Sequence, residues 1–164
     1  MMIKAFTVYQ PWATLIMIGA KPFEFRKWNY LERGGVKPGD LIGIHASKRP
    51  VRLREVEDLL ARLDDRSMTT GLIPDKARPL LALLKACRCK PAEQVMEHSA
   101  LLGTVRIGAP KLSEEIFPDW KVADSDRLEH CKWAWPMNDP KPIFPPSPMR
   151  GLQGFFNASA ELVA

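Results

Sequence analysis

The chain has 164 residues, an apolar fraction of 46% and a net charge of +5, which suit one soluble domain over residues 1–164 with its own core. No apolar run approaches the roughly 20 residues that span a bilayer, and the start lacks the basic-then-apolar layout of a signal peptide. We therefore exclude a membrane protein and expect a cytoplasmic one; three cysteines, an uneven number for disulfides, agree with a reducing compartment.

The chain begins with a strand pattern followed by a helix pattern. A first strand is predicted over residues 3–9, where apolar side chains dominate both faces. A short apolar helix is predicted over residues 13–18, with Pro11 well placed as its first helical residue. Gly19 then lies just past the helix end, where a left-handed backbone favours a residue without a side chain.

A turn and a second strand follow this helix, and the sequence period changes from helical to two. A strand over residues 23–28 places Phe23 and Phe25 on one face and Glu24 and Arg26 on the other, because strand side chains alternate. The polar face of this strand therefore carries a carboxylate and a guanidinium, close to a lysine that precedes the turn. This combination is typical of a functional site.

The rest of the chain alternates strands with inserted helices. Further strands are predicted over residues 41–46, 100–107, 132–136 and 152–162. Helices are predicted over residues 50–65, 80–86, 90–98 and 113–116. Loops are predicted over residues 29–37, 67–73, 124–130 and 144–150, the last because it is rich in proline. Five or six strands with helices between them, including a helical insertion at about 50–98, predict an α+β fold with a small closed or half-closed β-barrel.

The helix-turn-strand unit carries a sequence motif. Gly19, Lys21, Glu24 and Arg26 match the pattern G-x-K-x-x-E-x-R, and the flanking segments are Gln-Pro-Trp at residues 10–12, together with 39–47 and 150–156. These features resemble the ASCH family, the domain related to activating signal cointegrator 1, over most of the chain. The resemblance implies a PUA-like β-barrel, related to the domain of pseudouridine synthases and archaeosine transglycosylases, and a role in binding RNA or a nucleotide.

The same resemblance also implies an alternative function, that of an enzyme. Some small ASCH members are amidohydrolases of acetylated cytidine, and others have been described as ribonucleases for single-stranded RNA. If the chain is a hydrolase, Lys21 and Glu24 are its catalytic candidates. For RNA cleavage, the base and the phosphate-stabilising cation could also come from Tyr9, His45, Ser47 or Lys48. The amidohydrolases carry a threonine in the strand of the motif, whereas this chain has Glu24 at that position, so the resemblance to them is weaker. No cofactor or metal is implied.

Three interpretations of Lys21, Glu24 and Arg26 stay open. The two cations would hold a phosphate while the carboxylate accepts from the amino group of cytosine or guanine. Alternatively, burial would shift a pKa so that the lysine acts as a base or the glutamate as a proton shuttle. The third interpretation is a structural ion network that fixes the turn.

The charge distribution favours a polyanionic partner. Residues 1–54 carry ten Lys and Arg against three Asp and Glu, whereas residues 55–164 carry fourteen against sixteen. Clustered cations release counterions from phosphates, and nearby aromatic rings stack on bases, so we expect RNA or single-stranded nucleic acid, or a small modified nucleoside, as the ligand. An anion site is also predicted at the start of the 50–65 helix, and the alternative that Ser47 only caps this helix stays open. The candidate binding residues are Tyr9, Gln10, Trp12, Lys21, Glu24, Arg26, Ser47, Lys48, Arg49, Arg150 and Gln153.

Other residues are given structural roles. His45 lies within an apolar strand, which favours a hydrogen-bonded core histidine. Cys87, Cys89 and Cys131, with His130, lack the spacing of a zinc knuckle, so no metal is expected. A further function also stays open, in which the helical insertion binds a protein partner.

Overall fold

A computed structural model of the chain describes residues 1–90 and 96–159, and it confirms the predicted α+β class. The strands in these ranges are β1 (Met2–Val8), β2 (Phe23–Arg26), β3 (Leu41–Ala46), β4 (Met68–Thr69), β5 (Ala100–Ile107), β6 (Lys111–Leu112), β7 (Lys121–Val122), β8 (Trp133–Pro148) and β9 (Phe155–Ser159). The α-helices there are α1 (Trp12–Met17), α2 (Leu53–Asp64), α3 (Pro74–Ala86) and α4 (Ser113–Ile116). None of the described helices is long and apolar enough to cross a membrane.

One large sheet organises the fold. Its seven strands include the path β2-β8-β5-β3-β1-β9, with β6 paired to β8. β1 and β3 run parallel, while the other pairs in this sheet are antiparallel. β4 and β7 form a separate parallel pair. Over the described ranges β2 and β9 stay unpaired to each other, so the sheet is open and its pairing does not confirm the predicted barrel.

The main apolar cluster lies between the large sheet and the helices. β3 contributes Ile42 and Ile44, and α1 contributes Leu15 and Ile16, all of them almost completely buried. The inserted helices bury only one stripe each, as the amphipathic pattern of α2 requires. This packing holds α1 against the sheet, and α1 in turn positions the turn that leads into β2.

The helix-turn-strand unit forms largely as predicted. Gly19 adopts a left-handed backbone with φ of 73°, as expected for the residue beyond α1. Phe23 and Phe25 share an apolar cluster, with their ring centroids 6.4 Å apart. The two polar residues of β2 contact each other and line a cleft. Pro11 differs from its prediction, because it caps α1 rather than starting it.

β8 is the largest departure from the predicted elements. The predicted strand over 132–136 continues to Pro148, so the predicted loop over 144–150 is wrong for most of its length. Residues 137–148 pair with β5 on one side, with register shifts, and no other described strand pairs with that stretch. The prolines are tolerated because the other side of the strand is unpaired over the described residues. A proline lacks an N–H donor, which matters little on an unpaired side.

The inserted helices also differ in their bounds. α2 begins at Leu53, three residues after the predicted start, and α3 begins at Pro74, six residues before its predicted start. The loop predicted over 67–73 contains β4. The helix predicted over 90–98 falls mainly outside the described residues, as does the end of the strand predicted over 152–162.

Candidate functional site

A cleft of about 1050 Å³ lies where β1, β2 and β3 end. Phe6 to Tyr9 line it at the end of β1 and just beyond, and Glu24 to Trp28 line it at the end of β2 and just beyond. Segment 124–130 and segment 150–154 form further walls. Small-molecule sites typically enclose roughly 300–1000 Å³, so this cleft has room for a nucleotide together with part of a longer chain.

A buried ion network lies beneath the cleft. Lys21 is only 1% exposed, and its Nζ lies 2.9 Å from Asp124 Oδ2 and 3.5 Å from Glu24 Oε2. The two carboxylates line the cleft, whereas Lys21 does not. We call Glu24 and Asp124 the carboxylate floor. The lysine of the motif therefore acts on the cleft through these two side chains.

The charge state of Lys21 follows from its partners. Burial by itself lowers the pKa of Lys21, but the carboxylates of Asp124 and Glu24 outweigh burial and hold the pKa above its ordinary value. The hydrogen bond to Asp124 acts in the same direction. Lys21 is therefore a protonated ammonium at neutral pH, which suits an ion-pair partner and not a general base.

Arg26 occupies the floor beside Glu24 and presents its guanidinium to the cleft. Its Nε lies 3.0 Å from Glu24 Oε1, although the two groups lack the alignment of a hydrogen bond. Its Nη2 donates to the carbonyl oxygen of Thr7 at 3.0 Å. The guanidinium also packs over the rings of Phe6 and Trp135. A guanidinium has five N–H donors, so donors remain for a ligand oxygen.

Five exposed cations surround the cleft, and we call them the cationic rim. They are Lys27, Arg33, Lys48, Arg127 and Arg150. Within the described part of the chain none of them has an ion-pair partner. The two carboxylates of the floor share Lys21 as a cationic partner, so the five positive charges of the rim outweigh the remaining negative charge. The cleft is therefore strongly cationic.

Aromatic rings form the apolar part of the cleft. Trp28 stands edge-on to Trp135 with centroids 4.9 Å apart, and both rings line the cleft. Arg33 packs over Trp28 at 4.5 Å, and Arg127 packs over Tyr9 at 4.9 Å. Two members of the rim are thus already held against aromatic faces, the arrangement that favours cation–π contacts.

The predicted residues of the first helix and its approach separate into two groups. Tyr9 and Trp12 line the cleft, and the indole N–H of Trp12 donates to the carbonyl oxygen of Asp124. Gln10 is fully buried and does not line it. Its amide oxygen accepts from Thr14, and its amide nitrogen donates to the carbonyl oxygen of Glu97. Gln10 therefore fixes the start of α1.

The anion site predicted at the start of α2 is not formed by that helix. α2 is capped by Arg52 without a side-chain bond, and Ser47 instead accepts from the backbone N–H of Arg49. Arg49 forms an ion pair with Glu55 and stacks over Tyr9. Ser47 and Lys48 nevertheless line the cleft, as do Arg150 and Gln153 from the 150–154 segment.

Asp124 is the main residue of the candidate site that could not be identified from the sequence. It lies in the segment predicted as a polar turn, 103 positions from its partner Lys21. The thiol of Cys131 also donates to Asp124, and burial raises the pKa of that thiol to about 12, so it remains protonated. No local pattern marks Asp124, because its role depends on a partner brought in by the tertiary fold.

His45 is a buried and hydrogen-bonded histidine, as predicted. Its Nε2 donates to the carbonyl oxygen of Met149, and its Nδ1 lies 3.2 Å from Thr7 Oγ1. Burial lowers the pKa of His45. Thr7 Oγ1 lies within hydrogen-bond distance of the carbonyl oxygen of Leu152 as well. The 150–154 wall of the cleft is therefore anchored to β1 and β3.

The anchored wall leaves no room for a side chain at Gly151, and the substitution Gly151→Ala tests this close packing. A Cβ at Gly151 would lie 2.5–2.6 Å from the ring of His45 and the hydroxyl of Thr7. Because both groups are held by hydrogen bonds, we expect the substitution to lower the free energy of unfolding by about 1–3 kcal/mol, measured by chemical denaturation. Leu152→Ala, an exposed position in the same segment, is the control. Equal stability of Gly151→Ala and wild type would contradict the packing described here.

The cysteines and histidines do not form a metal site in the described part of the chain. Among those residues, no group of three or more His, Cys, Asp or Glu side chains could hold a metal ion. Cys87, Cys89 and Cys131 are free thiols. Cys89 and Cys131 are buried, so neither thiol is presented to the cleft.

No model of a known protein family matches the chain, and a search of curated proteins also found no match. The ASCH resemblance of the motif and its flanking segments therefore stays a prediction.

Proposed function

We propose that this protein binds single-stranded RNA in the cleft above Glu24 and Asp124. The observation that carries the proposal is the combination of an exposed cationic rim with an aromatic and polar interior in one cleft of about 1050 Å³. Phosphates are held by the rim, while a base enters the interior. Sequence-specific recognition of RNA commonly uses bases that are unstacked from a single strand.

The cationic rim supplies the affinity for the phosphates of the RNA backbone. Its five side chains are exposed and free of ion-pair partners within the described residues, so binding phosphates does not require an internal ion pair to break. Each phosphate contact releases counterions, which makes the affinity depend steeply on salt. The carboxylate floor does not oppose this attraction strongly, because Lys21 neutralises part of its charge.

The aromatic interior supplies a surface for a base. Trp28 is partly exposed, lines the cleft and lies next to Trp135. Stacking of a base on an aromatic side chain contributes about 1–3 kcal/mol in single-strand binding proteins. A paired base in a duplex cannot present its face in this way, so the cleft favours a single strand.

We also propose that the chain is an ASCH domain with a PUA-like barrel. The motif residues Lys21, Glu24 and Arg26 form one connected network, which supports a common role for them. Side-chain contacts between the two ends of the sheet support the barrel. Phe155 on β9 stacks on Trp135 of β8 and contacts Trp28 just after β2, so the two ends of the open sheet approach each other through side chains.

The alternative functions receive less support from the geometry. A hydrolase that uses Lys21 as a base needs a neutral amine, but Lys21 is buried, does not line the cleft and has a raised pKa. Glu24 is mostly buried but lines the cleft, and it stays the catalytic candidate if RNA is cleaved. No described contact favours protein docking through the inserted helices over the cleft.

Fluorescence anisotropy with a labelled single-stranded RNA of mixed sequence tests the proposal. We expect saturable binding whose dissociation constant rises at least tenfold between 50 and 200 mM salt, because several phosphate contacts are lost together. A duplex of the same sequence is the matched control and should bind more weakly. The same samples, run on a denaturing gel after chelator treatment, report any cleavage.

Each outcome has a defined meaning. Salt-dependent binding with intact RNA supports a binding protein, and cleavage would instead support the hydrolase. Equal affinity for the duplex would contradict the stacking argument, and the lack of binding to either RNA at 50 mM salt would overturn the proposed function.

A further inference from the structure

The floor of the cleft combines two acceptors with one donor. Glu24 and Asp124 both contact the single Nζ of Lys21, at 3.5 and 2.9 Å, so their carboxylates lie next to each other. Arg26 lies beside Glu24, with Nε 3.0 Å from Oε1. A ligand that reaches this floor therefore meets adjoining carboxylates and, beside them, a guanidinium.

The two carboxylates are reachable mainly from the cleft. Their side chains are about one-tenth exposed, and both residues line the cleft. A carboxylate accepts hydrogen bonds through about four lone-pair directions. Lys21 takes one direction on each carboxylate, while Cys131 takes a second on Asp124. Accepting capacity thus remains on both side chains.

Arg26 supplies the complementary donor. Its position is fixed by the hydrogen bond from Nη2 to the carbonyl oxygen of Thr7 and by packing over Phe6 and Trp135. Its side chain is 26% exposed and lines the cleft. A fixed guanidinium recognises a carbonyl oxygen more selectively than a flexible ammonium does.

Among the RNA bases, guanine matches this floor. Its Watson–Crick edge carries two neighbouring donors, N1–H and the N2 amino group, followed by the O6 acceptor. Cytosine and adenine each offer one amino group beside acceptors, and uracil offers a single N–H between two carbonyls. Only guanine uses two adjoining acceptors and one donor of the protein together.

We propose that the cleft selects an unpaired guanine, with the carboxylates of Glu24 and Asp124 accepting from N1–H and N2–H and Arg26 donating to O6. This inference rests on the proposed RNA-binding function and names the base that the same site reads. The guanine ring lies against the aromatic interior, where the partly exposed Trp28 lines the cleft. The phosphate points to the rim.

Titration of the wild-type protein with nucleoside 5′-monophosphates tests this base selection without any substitution. Guanosine and inosine monophosphates form the decisive pair, because inosine lacks only the N2 amino group. We expect guanosine monophosphate to bind at least about tenfold more tightly than inosine, adenosine, cytidine and uridine monophosphates, since a good base-edge contact discriminates by about that factor or more. Isothermal calorimetry or the quenching of tryptophan fluorescence gives the dissociation constants.

A second experiment separates this inference from the proposed function. Two labelled RNA decamers are compared, one made of adenine, cytosine and uracil only and one with a single central guanine. Tighter binding of the decamer with guanine supports the inference. Equal, salt-dependent binding of both decamers, or equal binding of guanosine and inosine monophosphates, overturns guanine selection and leaves RNA binding in place. If neither decamer binds, both proposals are overturned.

Discussion

The triple substitution of Lys48, Arg127 and Arg150 to alanine is expected to weaken the binding of single-stranded RNA by about 10- to 100-fold at 50 mM salt. These three side chains are exposed members of the cationic rim and come from different segments around the cleft. Each contact between a cation and a phosphate that is lost reduces the magnitude of the slope of log affinity against log salt by about 0.7 for a single strand. We therefore expect the magnitude of that slope to fall by about 2, measured by anisotropy titrations at several salt concentrations.

A charge-matched variant separates the cleft from the overall charge of the protein. Arg66, Lys85 and Lys111 are also exposed, lie outside the cleft and come from three different segments. Replacing them with alanine removes the same number of positive charges as the first triple variant does. We expect the affinity for RNA to change less than threefold. Equal losses in the two triple variants would show that binding depends on net charge, and they would contradict a role for the cleft.

Lys21→Met is expected to destabilise the fold by about 3–5 kcal/mol. Methionine fills a similar volume, but it leaves two neighbouring, largely buried carboxylates without their shared cation. Removal of one partner from a buried ion network typically has a cost of this size. For a chain of this length the melting temperature should fall by roughly 10 °C. Thermal and urea unfolding measure both quantities.

The pH dependence of that loss identifies its electrostatic origin. In Lys21→Met the unpaired carboxyls take up protons more readily in the folded state than in the unfolded state, so the loss should shrink as pH falls from 8 to 5. Wild-type Lys21 stays charged across this range, because its pKa is raised. Adding Asp124→Asn should restore part of the stability at pH 8.

An exposed lysine provides the control for this substitution. Lys85 lies on α3 and faces solvent, so Lys85→Met should change the free energy of unfolding by less than about 0.5 kcal/mol. If Lys21→Met were as stable as wild type at pH 8, Lys21 would not be part of the energetic network that the distances indicate.

The part of the site that could be predicted from sequence is the part made by one local segment. The helix, the turn at Gly19 and the alternation of β2 follow from short-range rules, and these rules already place Glu24 and Arg26 on one face. The same rules do not predict that the Lys21 side chain is buried. Lys21 lies beneath the carboxylates rather than in the cleft, because the distant Asp124 provides a partner that lets its ammonium be buried.

The elements that could not be predicted depend on pairing between distant segments. Prolines in residues 144–150 indicate a loop by local preference, yet most of that stretch belongs to β8 because β5 pairs with one side of it. The start of α2 is similar. Ser47 has the chemistry of a helix cap, but the helix begins only at Leu53, so Ser47 bonds locally to Arg49. In both places tertiary structure decides what local preference leaves open.

The proline content of β8 also has a consequence for how copies of this protein meet in a concentrated solution. An unpaired strand side is normally a template on which another chain adds a strand, the first step toward aggregation. Over residues 137–148 the five prolines remove backbone donors from that template. The exposed side of the strand therefore presents a poor surface for intermolecular pairing, and the sheet remains open there without becoming adhesive.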